Sequence, residues 1–139
     1  MAKKVGPGGN VFATEIDPAL LRQIRRRAAE AGLNNVTVTA ARADDSGLPR
    51  ACCDAIVMRG VYHHLTRPLQ VDASLFEALR PGGEMAILDF RPSLLLKPWT
   101  PSGIPSNRGG HGVPPEIISR EVTSVGFERI RAIDPWTRS

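Results

Sequence analysis

The sequence has few cysteines and few aromatic residues, and each shortage excludes a class of protein. The two cysteines, Cys52 and Cys53, are adjacent. Neighbours in sequence rarely reach good disulfide geometry, so we expect two small buried thiols in a reducing, cytoplasmic compartment. Aromatic residues make up 5% of the chain, too few for a surface that stacks nucleic-acid bases.

Long apolar runs are also missing. No stretch approaches the roughly 18 apolar residues that cross a bilayer. The start, Met1-Ala2-Lys3-Lys4, leads into a Gly/Pro turn and not into the apolar core of a signal peptide. We therefore expect no membrane partner. Four arginines between residues 22 and 27 carry much of the net charge of +4, and we interpret them as a solvated helix face and expect no nucleic-acid partner.

What the chain does have is the composition and pattern of one α/β domain. Its 139 residues are 42% hydrophobic and 23% charged, which is typical of a single globular domain spanning residues 1–139. Strands are predicted at 11–16, 36–40, 54–59, 84–90 and 127–133, and helices at 18–31, 69–79 and 115–125. Alternation of strand and helix implies parallel strands joined by right-handed crossovers.

Within these elements, the spacing of apolar residues predicts which side chains face the core. Leu20, Ile24, Ala28 and Ala31 recur at helical spacing, and Gly32 is a plausible end of their helix. The strand at 54–59 is a nearly continuous apolar run, which predicts burial on both faces. Residues 91–115 are rich in Pro, Gly and Ser and form a long loop and candidate lid.

An acidic residue stands where the first predicted strand ends. Glu15 follows an apolar strand and precedes the helix that begins at Pro18. In open α/β folds, ligands bind at the carboxyl ends of the strands, and a carboxylate at this point accepts hydrogen bonds from ribose hydroxyls. The polar loop 43–47 follows the second predicted strand and is expected at the same edge.

These motifs, taken in order, resemble a class I S-adenosylmethionine-dependent methyltransferase. The resemblance covers residues 2–133 and implies a Rossmann-like three-layer sandwich with a mostly parallel sheet. It rests on Glu15-Ile16-Asp17, Ala43-Asp44-Asp45, the strand at 54–59, Tyr62-His63-His64 and Leu79-Arg80-Pro81-Gly82-Gly83, which precedes a strand ending Leu-Asp-Phe.

The resemblance implies a role for individual positions. Glu15 would bind the ribose hydroxyls and Ile16 one face of the adenine, while the loop holding Ala43 and Asp44 would meet the adenine edge. Arg59 and Gly60 would lie beside the methionine moiety. The implied cofactor is S-adenosylmethionine, and the implied activity is methyl transfer to a small-molecule acceptor.

The candidate catalytic residues are Tyr62, His63 and His111. Adjacent side chains on an extended backbone point to opposite faces, so we expect one of His63 and His64 to face the acceptor pocket. An imidazole there has a pKa suited to work as a base, although packing is the alternative role for both histidines. We predict no metal site, because His111 is far from His63 and His64 in sequence.

The sequence departs from the family pattern at both ends. A Gly-rich loop lies about 20 residues before the ribose acid in dinucleotide folds, and counting back from Glu15 passes Met1. We therefore expect a form truncated relative to the seven-stranded fold, without the glycine-loop segment and the last strand. One alternative is a non-catalytic remnant that binds a partner or completes its sheet as a homo-oligomer. A nicotinamide-dependent oxidoreductase is a further alternative, but the glycine fingerprint that it needs is absent.

Overall fold

The structure, a computed structural model, describes residues 1–133 and has the predicted α/β architecture. Two 3₁₀ turns, at Tyr62–His64 and Leu94–Trp99, connect regular elements. In chain order, the helices and strands of this part are α1 (Ala2–Val5), β1 (Val11–Glu15), α2 (Pro18–Glu30), β2 (Val36–Ala40), β3 (Cys53–Arg59), α3 (Pro68–Ala78), β4 (Leu79–Leu88) and α4 (Pro115–Ser124). None of its helices is long and apolar enough to cross a membrane.

The first βαβ unit forms as the sequence predicts. β1 and β2 pair in parallel, with Val11 opposite Val36 and Glu15 opposite Ala40. Asp17 begins α2 by accepting a hydrogen bond from Ala19 N at 2.6 Å, which satisfies one of the free N–H groups of the first turn. These local signals fix the strand end that carries Glu15.

Two details of the α2 prediction are wrong. Ala31 does not face the core, because the helix ends at Glu30 and Ala31 is exposed. Leu21, and not Leu20, is the buried leucine, since Leu20 is 44% exposed and Leu21 only 6%. Gly32 follows the helix with φ +63, a conformation in which glycine is the usual residue, so the predicted helix end is confirmed. The four arginines of α2 are exposed, in agreement with the predicted solvated face.

The second parallel pair joins β3 to β4. From Ala55 opposite Glu84 to Arg59 opposite Leu88 the register is regular. Before that, the register shifts between the Cys53–Leu79 and Ala55–Glu84 pairs, so residues 80–83 of β4 bulge out of the pairing, with Gly82 at φ +79. Within residues 1–133 the strands form two separate two-stranded sheets. The prediction that β3 is buried on both faces is wrong, because Ile56 on one face is 8% exposed while Val57 on the other face is 47% exposed.

Two apolar clusters pack beneath the β3–β4 pair. The first is centred on Ile56, Val71, Leu75 and Ala78. The second brings Tyr62, Val113 and Val122 together and so joins the 3₁₀ turn after β3, the long segment and α4. Met58, Leu65, Met85 and Phe127 contact both clusters. The segment that contains Tyr62-His63-His64 is thus held by the core.

Residues 91–115 are only partly a loose loop. Residues 94–107 include exposed apolar side chains, among them Leu95 at 85% and Trp99 at 65% exposure. Arg108 and Val113, in contrast, are buried at 8% and 1%. The far part of the candidate lid is therefore anchored in the second apolar cluster.

Two further predictions are wrong. Residues 127–133 form no strand, because no neighbouring strand lies beside them in the described part of the chain; Phe127 instead packs its ring edge-on against Phe76 at 5.2 Å. Cys52 and Cys53 are joined in a disulfide and are half-buried. The thiol argument for a reducing compartment therefore falls, and the cytoplasmic location stays a prediction.

Candidate functional site

The carboxyl end of β1 holds Glu15 in a defined orientation. Its Oε1 accepts hydrogen bonds from the backbone N–H groups of Ile16, at 2.7 Å, and Asp17, at 3.0 Å. This leaves Oε2 as the oxygen that can accept hydrogen bonds from a ligand. Ile16 lies beside it and is 58% exposed, so an apolar surface adjoins the carboxylate.

The loop after β2 lies at the same edge of the fold. Ala43 is exposed, and the half-buried Asp44 carboxylate lies 3.6 Å from Arg42 and 3.3 Å from Arg67. The second ion pair links this loop to the segment before α3. Asp44, for which the resemblance implies a contact to the adenine edge, therefore lies between two exposed guanidinium groups.

The end of β3 provides the remaining predicted cofactor residues. Arg59 is exposed, and Gly60 has φ +62 and donates its N–H to Leu88 O at 2.8 Å. A Cβ atom at Gly60 would meet the ring of Phe90 at 3.6 Å. The left-handed glycine turns the chain sharply out of β3 into the 3₁₀ turn that carries the histidines.

Three histidines meet beside this turn. The ring centroids of His63 and His64 are 4.1 Å apart, and His111 lies 5.7 Å from His63 and 5.9 Å from His64. The expectation that His63 and His64 point to opposite faces is wrong, because they lie on a 3₁₀ turn and not on an extended strand. Burial first, and then the neighbouring His63 and His111 rings, lower the pKa of His64, while Asp89 opposes the shift.

Asp89 orients the innermost histidine. His63 Nδ1 lies 2.6 Å from Asp89 Oδ1, and the backbone N–H of His63 donates to Oδ2 at 3.0 Å. Phe90 N also donates to this carboxylate, at 2.7 Å. Both groups are buried, with side-chain exposures of 5% and 1%. A carboxylate that accepts at Nδ1–H fixes the tautomer and leaves Nε2 of His63 as the nitrogen available for chemistry.

Tyr62 lies in a different environment from the neighbouring histidines. It is fully buried, and its hydroxyl lies 2.8 Å from Asp72 Oδ2 and 2.9 Å from Glu121 Oε2. Arg108 forms an ion pair with Glu121 and stands 5.7 Å from the centre of the Tyr62 ring. These contacts hold Tyr62 within the core, and its predicted catalytic role stays a prediction.

The Tyr62 hydroxyl has one proton but lies within hydrogen-bond distance of two carboxyl groups, those of Asp72 and Glu121. Tyr62 can donate to one carboxylate only, so the second carboxyl group must itself carry a proton to complete both bonds. Burial raises the pKa of Asp72 from 3.8 to about 6. Arg108 pairs with Glu121 and not with Asp72, so Asp72 is the carboxyl group that retains a proton up to about pH 6. Burial and the Asp72 carboxyl also raise the pKa of Tyr62, so the phenol stays neutral.

A raised pKa at Asp72 makes stability depend on pH. The unfolded chain ionises Asp72 near its ordinary pKa of 3.8, but the folded chain retains the proton until about pH 6. The stabilisation is therefore complete below pH 3.8 and is lost as the pH rises through about 6. Between pH 4.5 and 7.5, we expect the free energy of unfolding to fall by on the order of 2 kcal/mol more in the native chain than in Asp72→Asn. Urea unfolding at both pH values measures this difference, and equal pH slopes in the two proteins would contradict it.

Sequence reasoning missed four residues of this region. Asp89 could have been found, because it is a strand-end acid in the Leu-Asp-Phe sequence after β4, just as Glu15 is after β1. Asp72, Arg108 and Glu121 have no comparable signal. They come from α3, the long segment and α4, and they meet only through tertiary packing.

The comparison that identifies the family covers more than half of the chain. Residues 1–83 match the model of the methyltransferase domain, a region that includes β1, the loop after β2 and the 3₁₀ turn with Tyr62. The chain belongs to the methyltransferase-domain family. The class I resemblance noted in the sequence is therefore confirmed.

Relatives of known sequence and structure agree with this placement. The chain is 30% identical over 101 residues to the ubiquinone/menaquinone biosynthesis C-methyltransferase UbiE of Bordetella parapertussis, a match that covers 73% of this chain and 38% of the relative. A SAM-dependent methyltransferase from Aquifex aeolicus superposes with a TM-score of 0.70 at 23% identity over 90% of this chain and 62% of the other. The trans-methyltransferase CalH, solved as a complex with SAH, gives a TM-score of 0.65 at 20% identity over 85% of this chain and 36% of the other.

The relatives matched here are longer than this chain. The chain spans about 38% of the length of the Bordetella relative. The structural similarity establishes a Rossmann-like methyltransferase fold, and the predicted fold class is confirmed.

Proposed function

We propose that this methyltransferase-family chain binds S-adenosylmethionine and takes part in methyl transfer to a small-molecule acceptor. The observation that carries the proposal is the orientation of Glu15. Its Oε1 is held by two backbone N–H groups, so Oε2 can accept hydrogen bonds from ribose hydroxyls without a change of rotamer. A carboxylate ordered in advance loses little conformational entropy when the ligand binds.

Neighbouring residues suit the rest of the donor. The exposed side chain of Ile16 offers an apolar surface for one face of the adenine. Asp44 and Ala43 stand in the loop after β2, and Arg59 and Gly60 end β3. In parallel α/β sheets, the strand ends converge on one ligand-binding edge. These residues are the proposed contacts to the adenine edge and the methionine moiety.

The histidines are assigned to the acceptor side. In methyl transfer, a nucleophilic atom of the acceptor bonds to the donor's methyl carbon while the carbon–sulfur bond breaks and its electron pair remains on sulfur as a thioether. The acceptor then loses a proton, or loses it beforehand to a base. Nε2 of His63, oriented through Asp89, and the ring of His111 are the proposed proton acceptors. Tyr62 would act as a positioning residue that fixes the turn beneath them.

Removal of the Glu15 carboxylate tests donor binding directly. In calorimetric titrations with S-adenosylhomocysteine, we expect Glu15→Ala to weaken binding at least about tenfold, or about 1.4 kcal/mol, because a charged hydrogen-bond acceptor for the ribose is lost. Glu30→Ala is the matched control, since this exposed glutamate at the end of α2 pairs only with Arg26, at 3.7 Å among the described contacts. Equal affinities of the native chain and Glu15→Ala would contradict the assignment.

The sheet arrangement favours one second function. Within residues 1–133, β1 pairs with β2 alone and β3 with β4 alone, which leaves backbone edges that can accept a further strand. A second copy of the chain would then complete the sheet. If a folded sample gives no heat with S-adenosylhomocysteine and light scattering finds a stable dimer, this strand-accepting role replaces the enzymatic one.

A further inference from the structure

We propose that His63, His64 and His111 bind a divalent transition-metal ion, with Zn²⁺ as the expected occupant. Each histidine offers one ring nitrogen, and these three nitrogens lie within 4.8 Å of one another. Imidazole is a preferred ligand of zinc and its neighbours in the first transition row. Three histidines with a fourth, open position form a common arrangement in zinc sites that bind water or substrate.

A tight turn of the backbone holds His111 beside His63 and His64. His111 has φ +56, a conformation that few residues other than glycine adopt without cost. It is the tip of a tight turn in which Gly109 and Gly112 exchange backbone hydrogen bonds at 3.1 and 3.2 Å. Gly110 N donates to Thr100 Oγ1 at 2.8 Å, and Ser93 N donates to Gly110 O at 3.3 Å. A strained residue kept by so many contacts is typical of a functional position.

Asp89 makes the contact that usually supports a metal-binding histidine. Metal-binding histidines usually donate their second ring N–H to a carboxylate, which fixes the tautomer and increases ligand basicity. The buried contact between His63 Nδ1 and Asp89 Oδ1, at 2.6 Å, has this form. The backbone N–H of His63 anchors the other carboxylate oxygen, so Nε2 is the nitrogen that His63 presents.

The remaining distances require only small side-chain movements. Zn–N bonds of about 2.0–2.1 Å place ligand nitrogens about 3.3 Å apart in a tetrahedron, compared with separations of up to 4.8 Å here. His63 is buried, but His64 is exposed and His111 half-buried. Rotation of these two rings can close the difference. A bound metal and a role of His63 Nε2 as a base are alternative uses of the same nitrogen.

The test is a titration of the untagged chain with Co²⁺ and Zn²⁺ in the absence of any methyl donor. We expect one Co²⁺ per chain with the intense visible bands of tetrahedral coordination, and displacement by Zn²⁺. His64→Ala and His111→Asn should each weaken binding at least about tenfold. Asparagine tolerates the left-handed conformation at position 111, so this variant removes the ligand and keeps the turn. Asp89→Asn should weaken binding about 10–100-fold and shift the Co²⁺ spectrum.

A variant outside the histidine cluster serves as the control. Asp54→Asn removes an exposed carboxylate that pairs with Arg80 at 2.8 Å, and it should leave Co²⁺ binding unchanged. No Co²⁺ bands in the folded native chain, or equal binding by the native chain, His64→Ala and His111→Asn, would overturn the metal site and leave a packed histidine cluster. Since no donor is present, neither result bears on Glu15 and S-adenosylhomocysteine.

Discussion

Replacing Arg108 with methionine is expected to lower the free energy of unfolding by about 3–5 kcal/mol. The Arg108 side chain has no exposed surface, and its partner Glu121 is only 12% exposed. Methionine leaves the Glu121 carboxylate buried, without a counter-charge and beside the hydroxyl of Tyr62. Urea unfolding at pH 7, followed by circular dichroism, measures the loss.

A second substitution separates the ion pair from simple packing. In Arg108→Met/Glu121→Gln, the Glu121 charge is removed together with that of Arg108, so we expect at least half of the lost stability to return. Arg26→Met is the matched control, because Arg26 and Glu30 are exposed at 68% and 67%. Exposed pairs contribute about 0–1 kcal/mol. If Arg108→Met were no more destabilised than Arg26→Met, the buried pair would not hold residues 91–115 to α4.

Gly112→Ala is expected to destabilise the chain by about 3 kcal/mol. A Cβ atom at this position would overlap the backbone carbonyl of Arg91 and lie 2.6 Å from Phe90 O. Both obstacles are backbone atoms, which cannot rotate away as a side chain can, and overpacking of this kind costs about 1–3 kcal/mol or more. Thermal and urea unfolding would measure the change.

The chain contains a glycine suited to serve as the control for this variant. At Gly8, an added Cβ atom meets nothing within 4 Å, and its φ is not in the left-handed range. We expect Gly8→Ala to change stability by less than about 1 kcal/mol, in either direction. A Gly112→Ala protein as stable as Gly8→Ala would show that residues 109–112 can move away from the backbone of Phe90 and Arg91.

Local signals made most of the fold predictable. Asp17 and Pro18 begin α2, Gly32 follows its end, and β1, β2 and β3 match the predicted bounds to within one residue at each end. The prediction for β4 is wrong at its start, because the strand begins at Leu79 and not at Glu84. The wrong predictions concern which elements pack or pair beside one another, which sequence patterns do not specify. Ile56 packs on α3 residues, whereas Val57 points to the opposite face of β3 and is 47% exposed. Residues 127–133 have no strand to pair with in the described part of the chain.

The candidate site was predictable only where chemistry coincides with a strand end. Glu15 could be assigned from its position between β1 and α2, and its geometry agrees with that position. The contact of His111 with His63 could not be predicted, because His111 lies on a turn 47 residues after His64 in the chain. The buried charges at Asp72, Arg108 and Glu121 come from three different elements, and no spacing rule connects them.

Val113 N donates a hydrogen bond to Phe90 O at 2.9 Å. The two ends of the segment 91–112 therefore lie side by side. Doubling the length of a flexible loop with fixed ends costs only about 0.6 kcal/mol. Insertions or deletions among the exposed residues around Leu95 and Trp99 would therefore leave the buried anchor at Arg108 and Val113 intact. The outer segment can therefore change in length and sequence while the β3–β4 core and the strand end at Glu15 remain in place.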